Sequence, residues 1–250
     1  MRQLLLCVAL MTIPAAQAAE CSARSGANST ALVELYTSEG CDSCPPADRW
    51  LSSLAQGFDP ARVVPVAFHV DYWDYIGWKD PFASAAFSER QRSGVRISGG
   101  RIVYTPQVLF GGKDFRAWSS AASFRDALTS ANAKPARADL ELRARIAGSD
   151  LEVSALAKLK GAALPADHAL LVAITESRLV SAVKAGENRG VTLAHDHVVR
   201  ELKSYRRFDA SERFVLRPGW KRENLAVVAF VQNLTNGEVL QALRLPACPE

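Results

Sequence analysis

The hydrophobic residues of this chain follow two different periods, and the change between them falls near Lys134-Pro135. Before that point, short apolar runs alternate with stretches whose apolar residues recur every three or four positions. This pattern is typical of strands alternating with helices. After that point the apolar residues recur every second position, which indicates half-buried β-strands. The sequence therefore predicts two successive regions of different class.

The first region, residues 31–133, predicts the order strand, helix, strand, helix, hairpin, helix. ALVELYT and RVVPVAFHV are compact apolar runs, as expected of strands in a sheet that is covered on both faces. PADRWLSSLAQGF, DPFASAAFSERQRSG and residues 119–132 have helical spacing, and the two glycines of YTPQVLFGGKDF predict a hairpin. Parallel strands with right-handed crossovers, followed by an antiparallel hairpin, predict an α/β thioredoxin-like domain.

The second region, residues 136–248, predicts a smaller all-β domain. Its strands are separated by turn signals, with hairpins expected at Gly148-Ser149-Asp150 and at Asn236-Gly237. Repeated short strands of alternating polarity favour a sandwich-like arrangement. Residues 19–30 are predicted to be an N-terminal segment that precedes the first domain.

The first 18 residues have the pattern of a cleaved secretory signal peptide. Arg2 is followed by an apolar run too short to span a bilayer, and Ala16 to Ala18 supply an A-x-A cleavage site. We therefore expect a periplasmic or secreted protein with no transmembrane segment after cleavage. The net charge of +4 over 250 residues gives no reason to expect a nucleic-acid partner.

Four cysteines remain once the predicted signal peptide is removed, and an even number in an oxidising compartment predicts two disulfides. Cys41 and Cys44 account for each other by their spacing. Cys21 and Cys248 are then the remaining partners. They lie at opposite ends of the mature chain, and the ends of domains are often close together.

Three separate segments are predicted to converge on Cys41 and Cys44. The cysteines follow the first strand, and the stretch HVDYWDYIGWKDPF follows the parallel second strand, so both lie at the same sheet edge. The third strand runs the opposite way, which brings Thr105-Pro106 at its start back to that edge.

This arrangement suits thiol–disulfide exchange on a protein or small thiol substrate. A helix N-terminus stabilises a thiolate, so Cys41 is the predicted nucleophile and Cys44 the predicted resolving thiol. Pro106 is predicted to form a cis bond that holds Thr105 against the sulfurs and offers a strand edge to a substrate. Such a redox pair needs no cofactor, and a membrane reductase that recharges it is a candidate partner. An inert structural disulfide is the alternative.

The chain resembles an uncharacterised family of exported bacterial proteins with a thioredoxin-like domain. The resemblance is carried by LYTSEGCDSCPPAD, HVDYWDYIGWKDPFAS, YTPQ and GENRGVTLAHDHVVREL, which span almost the whole mature chain. It implies the fold and the importance of Cys41, Cys44 and Pro106. It implies no particular activity.

Other side chains near this edge allow two interpretations each. Tyr72, Trp73 and Trp78 could bind substrate as an apolar platform or could pack into the core. Glu34 lies seven residues before Cys41 and could accept the proton of the resolving thiol, or it could be a solvated or paired strand residue. A non-catalytic binding protein that uses the aromatic edge is therefore an alternative function.

A metal carrier is a further alternative, in which Cys41, Cys44 and His69 would bind copper or zinc. His195 and His197 have a spacing that could also chelate a metal if both lie on one strand face. No metal is predicted as a resident cofactor. The GENRG stretch is interpreted simply as a turn.

Overall fold

The computed structural model describes residues 20–161 and 165–248, of which 42% lie in strands and 21% in helical turns. The predicted signal peptide, residues 1–18, lies outside the described residues. Within the described ranges, no helix is long and apolar enough to cross a membrane. Three α-helices occur in the same ranges: α1 (Pro45–Gly57), α2 (Ala85–Ile97) and α3 (Ala121–Asn132).

The strands of the described ranges form sheets of eight, four and two strands. In chain order they are β1 (Glu20–Arg24), β2 (Ala31–Thr37), β3 (Val63–His69), β4 (Gln107–Phe110), β5 (Lys113–Asp114), β6 (Ala138–Ala147), β7 (Asp150–Leu159), β8 (His168–Glu176), β9 (Leu179–Ala182), β10 (Thr192–His195), β11 (Val198–Tyr205), β12 (Asp209–Val215), β13 (Leu225–Asn233) and β14 (Val239–Pro246).

The eight-stranded sheet has the order β14-β13-β8-β11-β3-β2-β4-β5. Helix α1 connects the parallel strands β2 and β3, and β4 is antiparallel to β2. Strand β11 runs parallel to β3, with Val198 opposite Ala67. The N–H of Ala67 donates to the carbonyl of His197 at 2.9 Å. This pairing joins strands from the two halves of the chain in one sheet.

The predicted fold class, an α/β thioredoxin-like domain followed by a separate all-β domain, is therefore wrong. The protein is mostly β, because β8, β11, β13 and β14 extend the same sheet that contains β2 to β5. Strands β8 and β13 are buried along their whole length. A strand buried on both faces carries a continuous apolar run, and such a run does not specify which sheet the strand joins.

The four-stranded sheet is antiparallel, in the order β1-β6-β7-β12. Buried and more exposed positions alternate along β6 and β7, because one face packs inward and the other faces solvent. Its inward residues, such as Leu142 and Leu151, share a core with Val172 and Val227 of the eight-stranded sheet. This core holds the two sheets together.

The helices cover both faces of the strands that carry the cysteine turn. Leu51 of α1 and Leu128 of α3 pack with Leu35 of β2. Phe87 of α2 packs with Phe68 of β3 in a different core. Because successive strand residues point to opposite faces, α2 lies across the sheet from α1 and α3.

Residues 19–30 contain a strand that the sequence pattern does not predict. Strand β1 pairs with β6, and Cys21 is opposite Ala144. Cys21 also forms the predicted disulfide with Cys248, with Cα atoms 5.7 Å apart. The bond ties the first strand to the residues after β14.

Candidate functional site

Cys41 and Cys44 form a disulfide in the turn between β2 and α1, with Cα atoms 5.4 Å apart. The N–H of Cys41 donates to the Ser38 carbonyl at 3.2 Å, and the N–H of Cys44 donates to the Cys41 carbonyl at 3.2 Å. Both cysteines are buried, with no more than 1% of either exposed. The predicted pairing of these two cysteines is confirmed.

Helix α1 begins directly after the second cysteine. Pro45 and Pro46 occupy its first positions, where a missing N–H costs nothing. Cys44 already has helical backbone angles (φ −78°, ψ −37°), and its carbonyl accepts the N–H of Asp48 at 3.1 Å. Asp48 therefore lies one turn after Cys44 on the same side of the helix, where Cβ atoms are about 5–6 Å apart.

Five ionisable side chains are buried around this turn. We call them the histidine–carboxylate cluster: Glu39, Asp48, His69, Asp80 and His195. His195 joins two carboxylates, because its Nε2 lies 3.1 Å from Glu39 and its Nδ1 lies 4.0 Å from Asp48. The Nδ1 of His69 lies 2.7 Å from Asp80. The two imidazole rings are 4.9 Å apart, so the cluster is one connected unit.

Segments that are distant in sequence build this cluster. Glu39 belongs to the cysteine turn, and its N–H donates to Asp80 Oδ2 at 2.9 Å. The indole N–H of Trp78 donates to Glu39 Oε2 at 2.8 Å. His69 ends β3 and His195 ends β10. The Nε2 of His69 and the Nδ1 of His195 are buried, and neither has a hydrogen-bond partner among the described residues. Each can therefore take up a proton or pass one on.

Burial and pairing shift the pKa values inside the cluster in different directions. Burial raises the pKa of Asp48, although the nearby His195 and His69 oppose the rise. Burial alone would lower the pKa of His69, but the charge and hydrogen bond of Asp80 raise it. Burial would raise the pKa of Asp80, but His69 outweighs it and lowers that pKa. An acid with a raised pKa accepts a proton more readily near neutral pH, so Asp48 is suited to that role.

The loop at residues 186–190, which we call the Asn188 loop, covers the cysteine turn. The side-chain amide of Asn188 donates to the carbonyls of Glu39 at 2.8 Å and Cys41 at 2.9 Å. Glu187 accepts the N–H of Asp42 at 3.1 Å. This GENRG stretch, interpreted from sequence as a simple turn, is thus the element that holds the cysteine turn from outside.

Thr105 and Pro106 connect to the cysteine turn through Trp73. The Thr105–Pro106 peptide bond is cis. The indole N–H of Trp73 donates to Thr105 Oγ1 at 2.7 Å. Trp73 also packs closely against Gly40 in the turn. A side chain at position 40 would not fit, since its Cβ would lie only 3.0 Å from the Cβ of Trp73. Three predicted segments therefore come together at this edge.

The remaining aromatic side chains of this loop have distinct surroundings. The hydroxyl of Tyr72 donates to Gln91 at 3.0 Å, and Trp78 is anchored on Glu39 as described above. Tyr75, by contrast, is 82% exposed. The structure thus anchors Tyr72, Trp73 and Trp78 by hydrogen bonds and leaves Tyr75 on the surface.

Glu34 does not join the cysteine site. It lies on the face of β2 that packs under α2, beside Tyr36, whose hydroxyl donates to it at 3.1 Å. Arg90 of α2 pairs with the same carboxylate oxygen at 2.7 Å. Helix α1 packs on the opposite face, next to Leu35. Glu39 and Asp48 are buried acids that do reach the cysteine turn, and the sequence pattern does not predict them. The spacing of four between Cys44 and Asp48 is the signal that could have found one of them.

The histidines predicted as alternative metal ligands have other contacts. His195 belongs to the cluster, whereas His197 has a positive φ of 59° and lies between β10 and β11, so the two histidines do not share one strand face. Burial, with Arg244 nearby, lowers the pKa of His197 to about 4. The described residues contain no group of three or more His, Cys, Asp or Glu side chains arranged to hold a metal ion.

The fold and site define a mostly β protein with a buried disulfide at the start of a helix and a histidine–carboxylate cluster beside it. Within that class, the chain belongs to DUF1223, a family of proteins of unknown function, whose model matches residues 32–232. This finding supports the resemblance to an uncharacterised family. No curated protein matches the chain.

Two solved structures are similar over most of the chain. Protein AGR_C_4864 from Agrobacterium tumefaciens, known from an X-ray crystal structure, is 25% identical with a TM-score of 0.64. The match covers 89% of this chain and 96% of that one. HBP35 of Porphyromonas gingivalis is 14% identical with a TM-score of 0.67, over 89% of this chain and 76% of that one. Because only 14% of the residues are identical, the similarity to HBP35 concerns the fold alone.

Proposed function

We propose that this protein is an exported thiol–disulfide oxidoreductase that exchanges electrons through Cys41 and Cys44. One observation carries the proposal: the disulfide lies one helical turn from a buried cluster that can bind protons. Burying ionisable groups costs free energy, and an inert crosslink has no need of them. Groups with perturbed pKa values are instead concentrated at functional sites.

The proposed exchange begins with the reduced protein. The Cys41 thiolate attacks one sulfur of a substrate disulfide and forms a mixed disulfide, while the other substrate sulfur leaves as a thiolate. Cys44 then loses its proton to Asp48 and attacks the Cys41 sulfur. The second substrate sulfur leaves, the Cys41–Cys44 disulfide forms again, and the substrate has gained two electrons. Run in reverse, the same steps oxidise a substrate dithiol.

Histidine His195 supports the proton step in this proposal. It lies between Asp48 and Glu39, with its Nε2 3.1 Å from Glu39 and its Nδ1 4.0 Å from Asp48, so a small movement that closes the longer distance would let a proton taken up by Asp48 be shared with a second buried carboxylate. The proton makes the cluster one unit less negative at the moment when Cys44 becomes a thiolate, so the buried carboxylates repel that thiolate less. The cluster thereby lowers the cost of forming a thiolate at a buried Cys44.

Access to Cys41 requires the Asn188 loop to move, because the disulfide is buried in the described conformation. Opening breaks the three hydrogen bonds that join the loop to the cysteine turn, two from Asn188 and one to Glu187, as a local opening of the native protein. Thr105 and Pro106 would then present a backbone edge to a protein substrate, with Trp73 holding that edge beside the cysteine turn. The exposed Tyr75 is available as an apolar contact.

The proposed compartment is the periplasm or the extracellular space. Disulfides such as Cys21–Cys248 and Cys41–Cys44 persist in oxidising compartments. The proposed substrates are thiols or disulfides of proteins or small molecules, and a membrane reductase is a candidate partner for recharging the pair.

A trapping assay tests the proposed chemistry. The Cys44→Ser variant, incubated with oxidised glutathione, should retain one glutathione on Cys41, because the resolving thiol is missing. The Cys41→Ser variant is the matched control and should retain much less. Mass spectrometry of intact protein reads both.

The reduction potential of the pair supplies the second measurement. Equilibration with glutathione redox buffers should give a potential in the range of exchangeable pairs. A potential below about −300 mV would identify a structural disulfide and rule out the proposed function.

A further inference from the structure

A polar cavity of about 190 Å³ lies between the start of α2 and β11. Arg200 and Arg217 contribute positive charge to its wall, and Phe82 and Trp220 contribute aromatic rings. The first turn of α2 also lines it, and the N-terminus of a helix carries partial positive charge. None of these residues takes part in the exchange proposed above.

Arg200 is held in place but is incompletely paired. Its guanidinium carbon lies 5.0 Å from the ring centre of Phe82 and 5.2 Å from that of Trp220, so two aromatic rings fix its position. Its Nη1 is buried and has no hydrogen-bond partner among the described residues. Buried donors of this kind normally have a partner, so an unpartnered one calls for an acceptor from outside the chain.

The charges around Arg200 do not balance. Glu176 lies 3.6 Å from the Nε of Arg200, and its other oxygen accepts the N–H of Lys221 at 2.9 Å. Arg217 adds a second guanidinium, 6.0 Å from the Trp220 ring centre. Burial and the charge of Arg217 lower the pKa of Arg200, against the opposing effect of Glu176. Two guanidinium groups and one carboxylate leave an excess positive charge at the cavity.

We propose that this cavity is a binding site for a small oxyanion, namely a phosphate or sulfate group, which Arg200 and Arg217 hold together. Paired guanidinium groups present several N–H donors in a geometry that matches tetrahedral oxyanions. The volume is below the range of about 300–1,000 Å³ typical of pockets for drug-sized molecules, so it suits a single anionic group. The anion would satisfy the Nη1 donor and neutralise the excess charge.

Titration calorimetry with inorganic phosphate and with sulfate tests the site in the full-length mature protein. The wild type should bind one anion per chain. Arg200→Gln and Arg217→Gln should each weaken binding at least tenfold. Arg207→Gln removes the same charge from an exposed position elsewhere and should bind like the wild type.

Because Arg200 packs between rings and could support folding, Arg217→Gln provides the decisive comparison: Arg217 is exposed, so its loss leaves the core intact. Glycerol phosphate distinguishes a free ion from a phosphate carried by an organic molecule. Binding of glycerol phosphate indicates a phosphorylated ligand, and binding of inorganic phosphate alone indicates the free ion. Absence of wild-type binding to all three anions, or equal binding by Arg217→Gln and the wild type, would overturn the proposal.

Discussion

Asn188 donates a hydrogen bond to the carbonyl of Cys41 at 2.9 Å, although 147 residues separate the two in sequence. The same amide donates to the carbonyl of Glu39 at 2.8 Å. One buried side chain therefore holds both ends of the short segment that leads into the cysteine pair. The conformation of the redox turn depends on this contact from the second half of the chain.

Replacing Asn188 by Ala should make the Cys41–Cys44 disulfide easier to reduce. The change removes the donor of the buried Glu39 carbonyl, at a cost of about 1–3 kcal/mol in the closed conformation. It also removes one of the two donors of the Cys41 carbonyl, which keeps the N–H of Cys44. Because about 1.4 kcal/mol is a factor of ten, reduction by dithiothreitol should be roughly tenfold faster or more. Thiol release over time measures it. Asn236→Ala, in an exposed turn, is the control, and an unchanged rate in Asn188→Ala would contradict the covering role of the loop.

Replacing Asp48 by Asn should slow the resolution of a mixed disulfide. Asn cannot accept the proton of Cys44, and general-base catalysis is worth about 10²–10⁴-fold. The loss should be close to 10²-fold at neutral pH, and the pH dependence governed by Asp48 should disappear. Rapid mixing of the reduced protein with oxidised glutathione, followed by an acid quench and mass spectrometry of the mixed disulfide, measures the rate. Equal rates and equal pH profiles for Asp48→Asn and the wild type would exclude Asp48 as the acceptor.

Glu34→Gln distinguishes a proton acceptor from a structural acid. Glu34 is paired with Arg90 under α2, so its neutralisation breaks a buried ion pair, at a cost of up to about 3–5 kcal/mol of folding stability. The Glu34→Gln variant should nevertheless resolve the mixed disulfide at the same rate as the wild type. Urea unfolding and the rapid-mixing assay, run on the same preparation, separate the two effects. If Glu34→Gln resolved the mixed disulfide more slowly than the wild type, Glu34 would have to be counted as a proton acceptor for Cys44.

Local signals in the sequence are sufficient to predict part of the structure around Cys41 and Cys44. The apolar run of β2 and the helical spacing that follows Pro46 predict a strand and a helix on either side of Cys41 and Cys44. Strand alternation also explains why Glu34 lies on the far face: a shift of one position along a strand reverses the direction of a side chain.

The rest of the site depends on contacts that no local pattern encodes. Strand β11 joins β3 through the pairing of Val198 with Ala67, and this step brings His195 to the cluster. Strand β3 is one continuous apolar run, and only Val198 and Val199 at the start of β11 are fully buried, so periodicity does not determine that these two strands pair. The same limit explains why the separate all-β domain is predicted and not found, and why Asn188 looks like an ordinary turn residue.

Folding stability should depend on pH through His69 and Asp80. The pKa of His69 is raised in the folded protein, so its contribution is fully present below the ordinary value of about 6.5 and is lost as the pH rises through the folded pKa. Asp80→Asn removes the charge that raises this pKa. The stability gap between wild type and variant should be largest near pH 5.5 and should shrink by pH 8.5. Urea unfolding across this range measures the gap, and Asp139→Asn, at an exposed ion pair, is the control. A gap that stays constant with pH would contradict the assignment.

Removing the Cys21–Cys248 disulfide should destabilise the protein without changing its redox chemistry. The bond closes a loop with a sequence separation of 227 residues. The chain-entropy model gives about 5 kcal/mol for such a loop, and native disulfides typically contribute about 2–5 kcal/mol. The Cys21→Ser, Cys248→Ser double variant should therefore unfold at a lower urea concentration, while its glutathione trapping on Cys41 in the Cys44→Ser background stays the same. The matched comparison is the Cys41→Ser, Cys44→Ser double variant, which opens a loop of only three residues and should lose less stability. A larger loss of stability in the Cys41→Ser, Cys44→Ser variant would contradict this prediction. It would assign the main structural role to the Cys41–Cys44 disulfide and not to Cys21–Cys248.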